Sequence, residues 1–257
     1  MVSVLSELQA QCAAPREVPG LDPRVGAAGA RRMAIEDSRQ DQRVATRTSK
    51  TLAMIGIVVG VAAVTAELAM EIAGRFAKGN GLVAALAHVL SYFTIVSNVA
   101  VVLAYVGALR GNSGSWLRPH VMRGMTLAMI ALVMLAYFFI ISRTEHPRGI
   151  AWLSAMIMHY ATPPLYALWW VLYVPHGRLK LREVGAMLIP SVIYMIYVLI
   201  RGRLVGEYPY AMLDATRIGS GSVTLHAIGL LIALAALCAA VVALDRWLAR
   251  RSWKPTT

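Results

Sequence analysis

Six long apolar runs, at residues 51–72, 82–109, 125–141, 150–174, 184–200 and 223–242, dominate everything after the first fifty residues. A helix needs about 20 predominantly apolar residues to cross the hydrocarbon core of a bilayer, with a working range of ~17–25. In lipid each backbone N–H and C=O must be satisfied within the segment, so such runs fold as helices. Helix breakers stand between them: Gly79-Asn80-Gly81, Gly111-Asn112-Ser113-Gly114, His146-Pro147, Pro175-His176-Gly177 and Gly219-Ser220-Gly221. The pattern predicts an all-α polytopic membrane bundle of six transmembrane helices. It shows no internal repeat of the kind that marks inverted-repeat transporters.

Composition agrees with this reading. Hydrophobic residues make up 58% of the chain and charged residues only 15%, against about a quarter charged in soluble domains. The net charge of +12 does not indicate nucleic acid as a partner, because the basic residues flank apolar runs, where Lys and Arg fix membrane orientation. Cys12 and Cys238 are the only cysteines. Their placement argues against a structural disulfide, and no Cys/His spacing suited to a metal is present, so no metal or cofactor is expected.

Residues 1–50 carry no apolar run and no secretory hydrophobic segment. They read as a disordered basic cytoplasmic tail, with a short surface helix around 34–44. The transmembrane domain is expected over 51–247, and a cytoplasmic C-terminal tail over 248–257. Counting Lys and Arg puts 8 in the N-terminal tail, 3 in each of the second and fourth loops and 4 at the C-terminus, against 7 in the remaining loops. The positive-inside rule then predicts both termini in the cytoplasm, with membrane lipids as the surroundings, and the strong preference for Arg over Lys is compatible with a bacterial plasma membrane.

Ionisable side chains at membrane depth are costly and therefore functional candidates. Glu67, Glu71, His88, His159 and His226 all fall in the outer half by this orientation. In the second run, Ser91, Thr94 and Asn98 form a polar stripe on a continuous helix. Such a stripe serves equally as hydrogen-bonding glue between spans, and a mid-helix Thr94 often bonds the carbonyl four residues back, here that of Leu90. In the fourth run, Pro163 and Pro164 remove two donors, predicting a kink that frees the carbonyls of His159 and Tyr160. Trp152, His159, Thr162, Tyr166 and Trp170 then share one face. Thr94 and His159 lie within a few ångströms of one height, which suits a nucleophile–base pair. Glu67 is placed to orient the imidazole. The string Glu207-Tyr208-Pro209-Tyr210, with Asp214, reads first as an interfacial anchor; a lid over an outward-facing pocket is the sharper alternative.

The strings Tyr92-Phe93-Thr94-Ile95-Val96-Ser97-Asn98, His159-Tyr160-Ala161-Thr162-Pro163, Pro175-His176-Gly177-Arg178-Leu179 and Tyr208-Pro209-Tyr210 with Asp214 resemble the Pr6Pr family of bacterial six-span membrane proteins. That family is distantly similar to the eukaryotic androgen-induced membrane proteins, which are intramembrane threonine hydrolases of lipid esters. The resemblance covers about residues 50–247. It implies a catalytic Thr at Thr94 and a catalytic His at His159. Ala211 stands where many members would have Pro. The expectation is an intramembrane Thr/His hydrolase of a lipid ester or similar acyl substrate, supported by a polar pocket of Glu67, Ser91, Asn98, Thr162 and His226, with Asn98 or Ser91 as oxyanion donors. The alternatives are a transporter-like protein and a non-catalytic membrane scaffold.

Overall fold

The computed structural model describes residues 23–110, 118–143 and 146–252. Cys12 and the breaker cluster at 111–114 lie outside the described residues. The chain divides after Arg47, and the unit from Thr48 onward holds the bundle. The described residues form helices and turns, with no strand among them: α1 (Pro23–Ala77), α2 (Leu82–Val89), α3 (Phe93–Leu109), α4 (Pro119–Phe139), α5 (Ile150–Met156), a π-helical turn (Ile157–Ala161), α6 (Thr162–Tyr173), α7 (Val184–Val205), α8 (Ala215–Ile218) and α9 (Ser220–Ser252).

Four stretches are long and apolar enough to span a bilayer: Gln42–Ala77, Pro119–Arg143, Leu181–Val205 and Ser220–Arg251. A fifth is added if α2 and α3 count as one span bent by 80°. Large apolar side chains face outward along them, among them Val58, Val83, Leu204 and Leu225, each more than two-thirds exposed. A water-soluble surface does not carry so much contiguous apolar area, whereas lipid is its natural solvent.

The first helix begins at Pro23, well before the expected short helix at 34–44. Its upstream part is rich in Ala and Arg, both good helix formers, and Pro23 occupies a first-turn position where a missing N–H costs nothing. Residues 23–50 are therefore helical where a mostly disordered tail was expected.

Helix α4 is the hub of the bundle. It packs against α3, α6, α7 and α9, and half of its apolar stretch is buried, against 28% for each of the other three long stretches. Small residues bring α1 against α3: a Cβ added at Gly56 would stand 2.3 Å from the Tyr105 ring, and one at Gly60 would stand 2.8 Å from Val102. Close backbone approach through small residues four apart is a main source of helix association in lipid. Tyr105, Tyr166 and Trp169 pack ring to ring at 5.0–5.7 Å in the core beneath that contact.

Two departures from regular helix build the site. The span expected over 82–109 is broken at 90–92, where the chain turns sharply between α2 and α3. Such a break survives at membrane depth only if its freed backbone groups find partners. Three tyrosines supply them. Tyr197 donates to the Ala87 carbonyl at 2.5 Å, Tyr194 donates to the Ser91 carbonyl at 2.5 Å, and the Tyr210 hydroxyl accepts the Phe93 N–H at 3.1 Å. The second departure is the π turn before Pro163 and Pro164. There the Thr162 N–H bonds the Ile157 carbonyl, five residues back. The wider turn rotates the helix face, so Trp152 points outward at 51% exposed while Tyr166 and Trp170 are buried; the single shared face expected from regular spacing does not form.

Candidate active site at the helix break

Thr94 lies in the first turn of α3, directly after the break, and not near the middle of a continuous helix. Its hydroxyl therefore does not turn back to Leu90. It meets the ring of His159, with Oγ1 3.2 Å from Nε2. Both side chains are buried at 8% exposed.

The other ring nitrogen fixes the proton. His159 Nδ1 lies 2.9 Å from the Ala155 carbonyl, which can only accept, so Nδ1 carries the hydrogen. Nε2 is then left with its lone pair toward Thr94, and the threonine O–H donates to it. This is the polarity a base needs to take a proton from a hydroxyl. The imidazole is held in plane by Tyr137, stacked on it with ring centroids 3.9 Å apart and 24° between planes.

The π turn also explains Asn98. In an α-helix the Thr162 N–H would reach the Met158 carbonyl; here it bonds Ile157, and Asn98 Nδ2 approaches Met158 O at 3.5 Å while bonding Thr94 O at 2.9 Å. Asn98 thus ties the first turn of α3 to the π turn. Its two N–H donors are both spent on carbonyls, which removes it as an oxyanion donor. Ser91 is committed too: its hydroxyl donates to the His88 carbonyl.

Two cavities meet at Thr94. The first, about 120 Å³, is bordered by Glu67, Tyr92, Thr94, Tyr137, His159 and Tyr210. The second, about 70 Å³, is bordered by Leu132, Val133, Tyr194, Met195 and Leu234, with Thr94 and Tyr210 again in its wall. The first is the more polar of the two, with ionisable and hydroxyl side chains in a largely apolar wall, and the second is a hydrocarbon slot between α4, α7 and α9. Glu67 stands in the wall of the first cavity. Thr162 is buried but borders neither cavity. His226 is exposed and takes no part: Val223, Ala227 and Leu234 define the buried face of α9, and His226 lies off it.

Sequence reasoning missed the charged clamp beside the site. Arg75 and Arg201, each 8% exposed, converge on Glu207. Arg75 Nη1 donates to Oε1 at 3.0 Å, its Nη2 pairs with Oε2, and Arg201 reaches Oε2 at 3.1 Å and the Glu207 carbonyl at 3.2 Å. His88 stands 3.5 Å from Glu207 on one side of its ring and 3.5 Å from Glu71 on the other. Hydrogen bonds from Arg75, and secondarily from Arg201, hold the Glu207 carboxyl down to about 2. The clamp fastens the 206–214 loop to α1, α2 and α7, and this loop delivers Tyr210 to both cavities. Arg75 and Arg201 look like orientation charges in the sequence; only their burial shows otherwise. The string around Tyr208 and Tyr210 was the available signal, and its inward side chains fit the lid alternative rather than an interfacial anchor. Tyr208 packs over Gly202, where an added Cβ would stand 2.1 Å from the ring.

No family model, curated protein or solved structure gives a significant match to this chain. The site therefore stands on its own geometry.

Proposed function

We propose that this chain is a membrane-embedded hydrolase that cleaves an ester of a lipid or similar acyl compound, using Thr94 as nucleophile and His159 as general base. The single observation that carries the reading is the buried 3.2 Å contact from Thr94 Oγ1 to an imidazole nitrogen whose opposite nitrogen is anchored on a carbonyl. The meeting of a more polar and a more apolar cavity at that hydroxyl supports it, since an ester of a fatty acid has one part for each.

In the proposed cycle Thr94 Oγ1 forms a bond to the acyl carbon as its proton passes to His159 Nε2. The carbonyl π pair moves onto oxygen and returns as the bond to the alcohol breaks. The alcohol leaves with the proton from Nε2. Water then attacks the acyl-threonine, again giving its proton to His159, and the carboxylic acid departs as Thr94 regains its hydrogen. Glu67, in the wall of the same cavity, favours the imidazolium formed at each step.

The reading includes a six-pass topology with both termini cytoplasmic, as the Lys and Arg count favours. The sixth span is the unbroken helical run from Ile150 to Tyr173, interrupted only in its hydrogen-bond register by the π turn. It also includes kinship with the Pr6Pr proteins and residence in a bacterial plasma membrane among lipid partners. Two of the seven outer basic residues, Arg75 and Arg201, are spent in ion pairs with Glu207, which sharpens the asymmetry that remains.

A second reading draws on the broken α2–α3 span. Interrupted helices with polar groups at the break line the binding sites of many carriers, so a transporter of an amphiphile is the competitor. The test is labelling of the detergent-purified protein by a fluorophosphonate, alongside hydrolysis of fatty-acid p-nitrophenyl esters. Labelling that is lost in folded Thr94→Ala and His159→Ala supports the hydrolase. An unlabelled, inactive wild type ends it and leaves the transporter and the non-catalytic scaffold.

A further inference from the structure

We propose that Tyr210 is a further catalytic residue of this site, its phenolic O–H supplying the hydrogen bond that stabilises the oxyanion formed when Thr94 adds to the acyl carbon. The inference rests on the hydrolase reading and names a donor that the sequence did not. Asn98 and Ser91 are excluded because their donors are already engaged on backbone carbonyls.

Three observations converge on Tyr210. Its side chain stands with Thr94 in the walls of both cavities, at their junction. Its oxygen accepts the Phe93 N–H at 3.1 Å and lies within interaction range of the Thr94 N–H, the Thr94 hydroxyl and the Tyr194 hydroxyl. Its own hydrogen turns about the C–O bond and can be given toward Thr94 Oγ1 or toward the Tyr194 oxygen, whose own hydrogen is spent on the Ser91 carbonyl. After addition, the oxyanion and Thr94 Oγ1 are neighbours on one tetrahedral carbon, so a donor standing beside the hydroxyl in the resting site needs little movement to serve the oxyanion.

The environment strengthens that donor. N–H groups given to the phenolic oxygen polarise its O–H and make the bond it donates stronger. The Phe93 N–H is a first-turn donor with no partner inside its own 17-residue helix, whose N-terminal end favours developing negative charge. The sharp turn at 90–92 is what aims this end at the site. Glu207, gripped by Arg75 and Arg201, keeps the loop that carries Tyr210 in place. At rest the hydrogen bonds run from Phe93 N–H to Tyr210, from Thr94 to His159 and from His159 to the Ala155 carbonyl, and the Tyr210 O–H is able to turn toward Thr94. Addition shifts one proton from Thr94 to His159 and moves the Tyr210 hydrogen bond to the new anion, with no net charge created elsewhere.

The test compares Tyr210→Phe with Tyr197→Phe in the full-length protein in detergent, using p-nitrophenyl decanoate as substrate and a decyl trifluoromethyl ketone as a mimic of the tetrahedral adduct. Removing one oxyanion donor costs about 10²–10³ in kcat, so Tyr210→Phe should lose at least 100-fold in kcat with KM within threefold. Its affinity for the ketone should fall in parallel. Tyr197→Phe removes a hydroxyl of the same structural kind, the cap on the Ala87 carbonyl, away from both cavities, and should keep wild-type kcat. If Tyr210→Phe stays within threefold in kcat while Thr94→Ala is inactive, Tyr210 is not the donor and the hydrolase reading stands. Equal losses in both tyrosine variants would reduce Tyr210 to support of the helix break. A wild type without esterase activity would remove the hydrolase and this role together.

Discussion

Replacing Glu207 by Gln tests the clamp that holds the Tyr210 loop. The substitution keeps the shape of the side chain and leaves Arg75 and Arg201, both buried, facing a neutral amide. A carboxyl held at about 2 rather than its ordinary 4.5 corresponds to at most ~3.5 kcal/mol of preference for the ionised form, at ~1.4 kcal/mol per tenfold. Because 37% of the Glu207 side chain reaches solvent, screening reduces this to about 1–2 kcal/mol. The sign follows from linkage. A carboxyl depressed in the folded state contributes its stability above the unfolded value near 4.5 and loses it as pH falls toward 2. Equilibrium unfolding in mixed micelles, followed by tryptophan fluorescence, should place Glu207→Gln ~1–2 kcal/mol below wild type at pH 6–7. The gap should close between pH 4.5 and 2. No gap at pH 7, or one of constant size down to pH 2, would refute the electrostatic clamp.

Two further outcomes follow from the same structure. Restoring the two missing donors with Pro163→Ala/Pro164→Ala should relax the π turn to α-helix, rotate the His159 ring away from Thr94 and lower ester hydrolysis about 100-fold, as expected for an ångström-scale misplacement; an unimpaired double variant would show that the π turn does not position the base. Asp245, 2% exposed, accepts from the backbone of Gly177 and Leu179 at 3.0 and 2.9 Å and contacts His176 at 3.2 Å. Asp245→Asn should therefore lose about 2–4 kcal/mol in micelle unfolding with unchanged hydrolysis per folded molecule, whereas equal stability would mean the 175–179 turn holds without it.

What the sequence revealed, and what it hid, follows from the range of the interactions concerned. The apolar stretches around 125–141, 184–200 and 223–242 are legible because insertion depends on local hydrophobicity alone. Thr94 and His159 were paired in expectation from their depths, but on a continuous helix over 82–109 that the break replaces, whereas the two prolines did mark where the fourth apolar run departs from a regular helix. The break at 90–92 was hidden. Leu90, Ser91 and Tyr92 carry no Gly or Pro, and the groups that satisfy the turn come from Tyr194, Tyr197 and Tyr210, over a hundred residues later. The π turn upset the face reckoning in the same way, turning Trp152 outward. His226 failed because an ionisable residue on an apolar helix was credited to the interior without asking which face Val223, Ala227 and Leu234 bury. Arg75 and Arg201 were read as topology markers, since nothing local distinguishes a flanking arginine from one folded inward onto Glu207.

The most direct test of a threonine nucleophile is the covalent state it must pass through. Wild-type protein mixed with p-nitrophenyl decanoate, quenched in acid within the first turnovers and digested, should yield the peptide containing Thr94 with a decanoyl mass increment on that residue. The increment should be absent in Thr94→Ala and strongly reduced in His159→Ala. Release of p-nitrophenol with no acyl group on Thr94, or with the acyl group on another residue, would contradict the assignment.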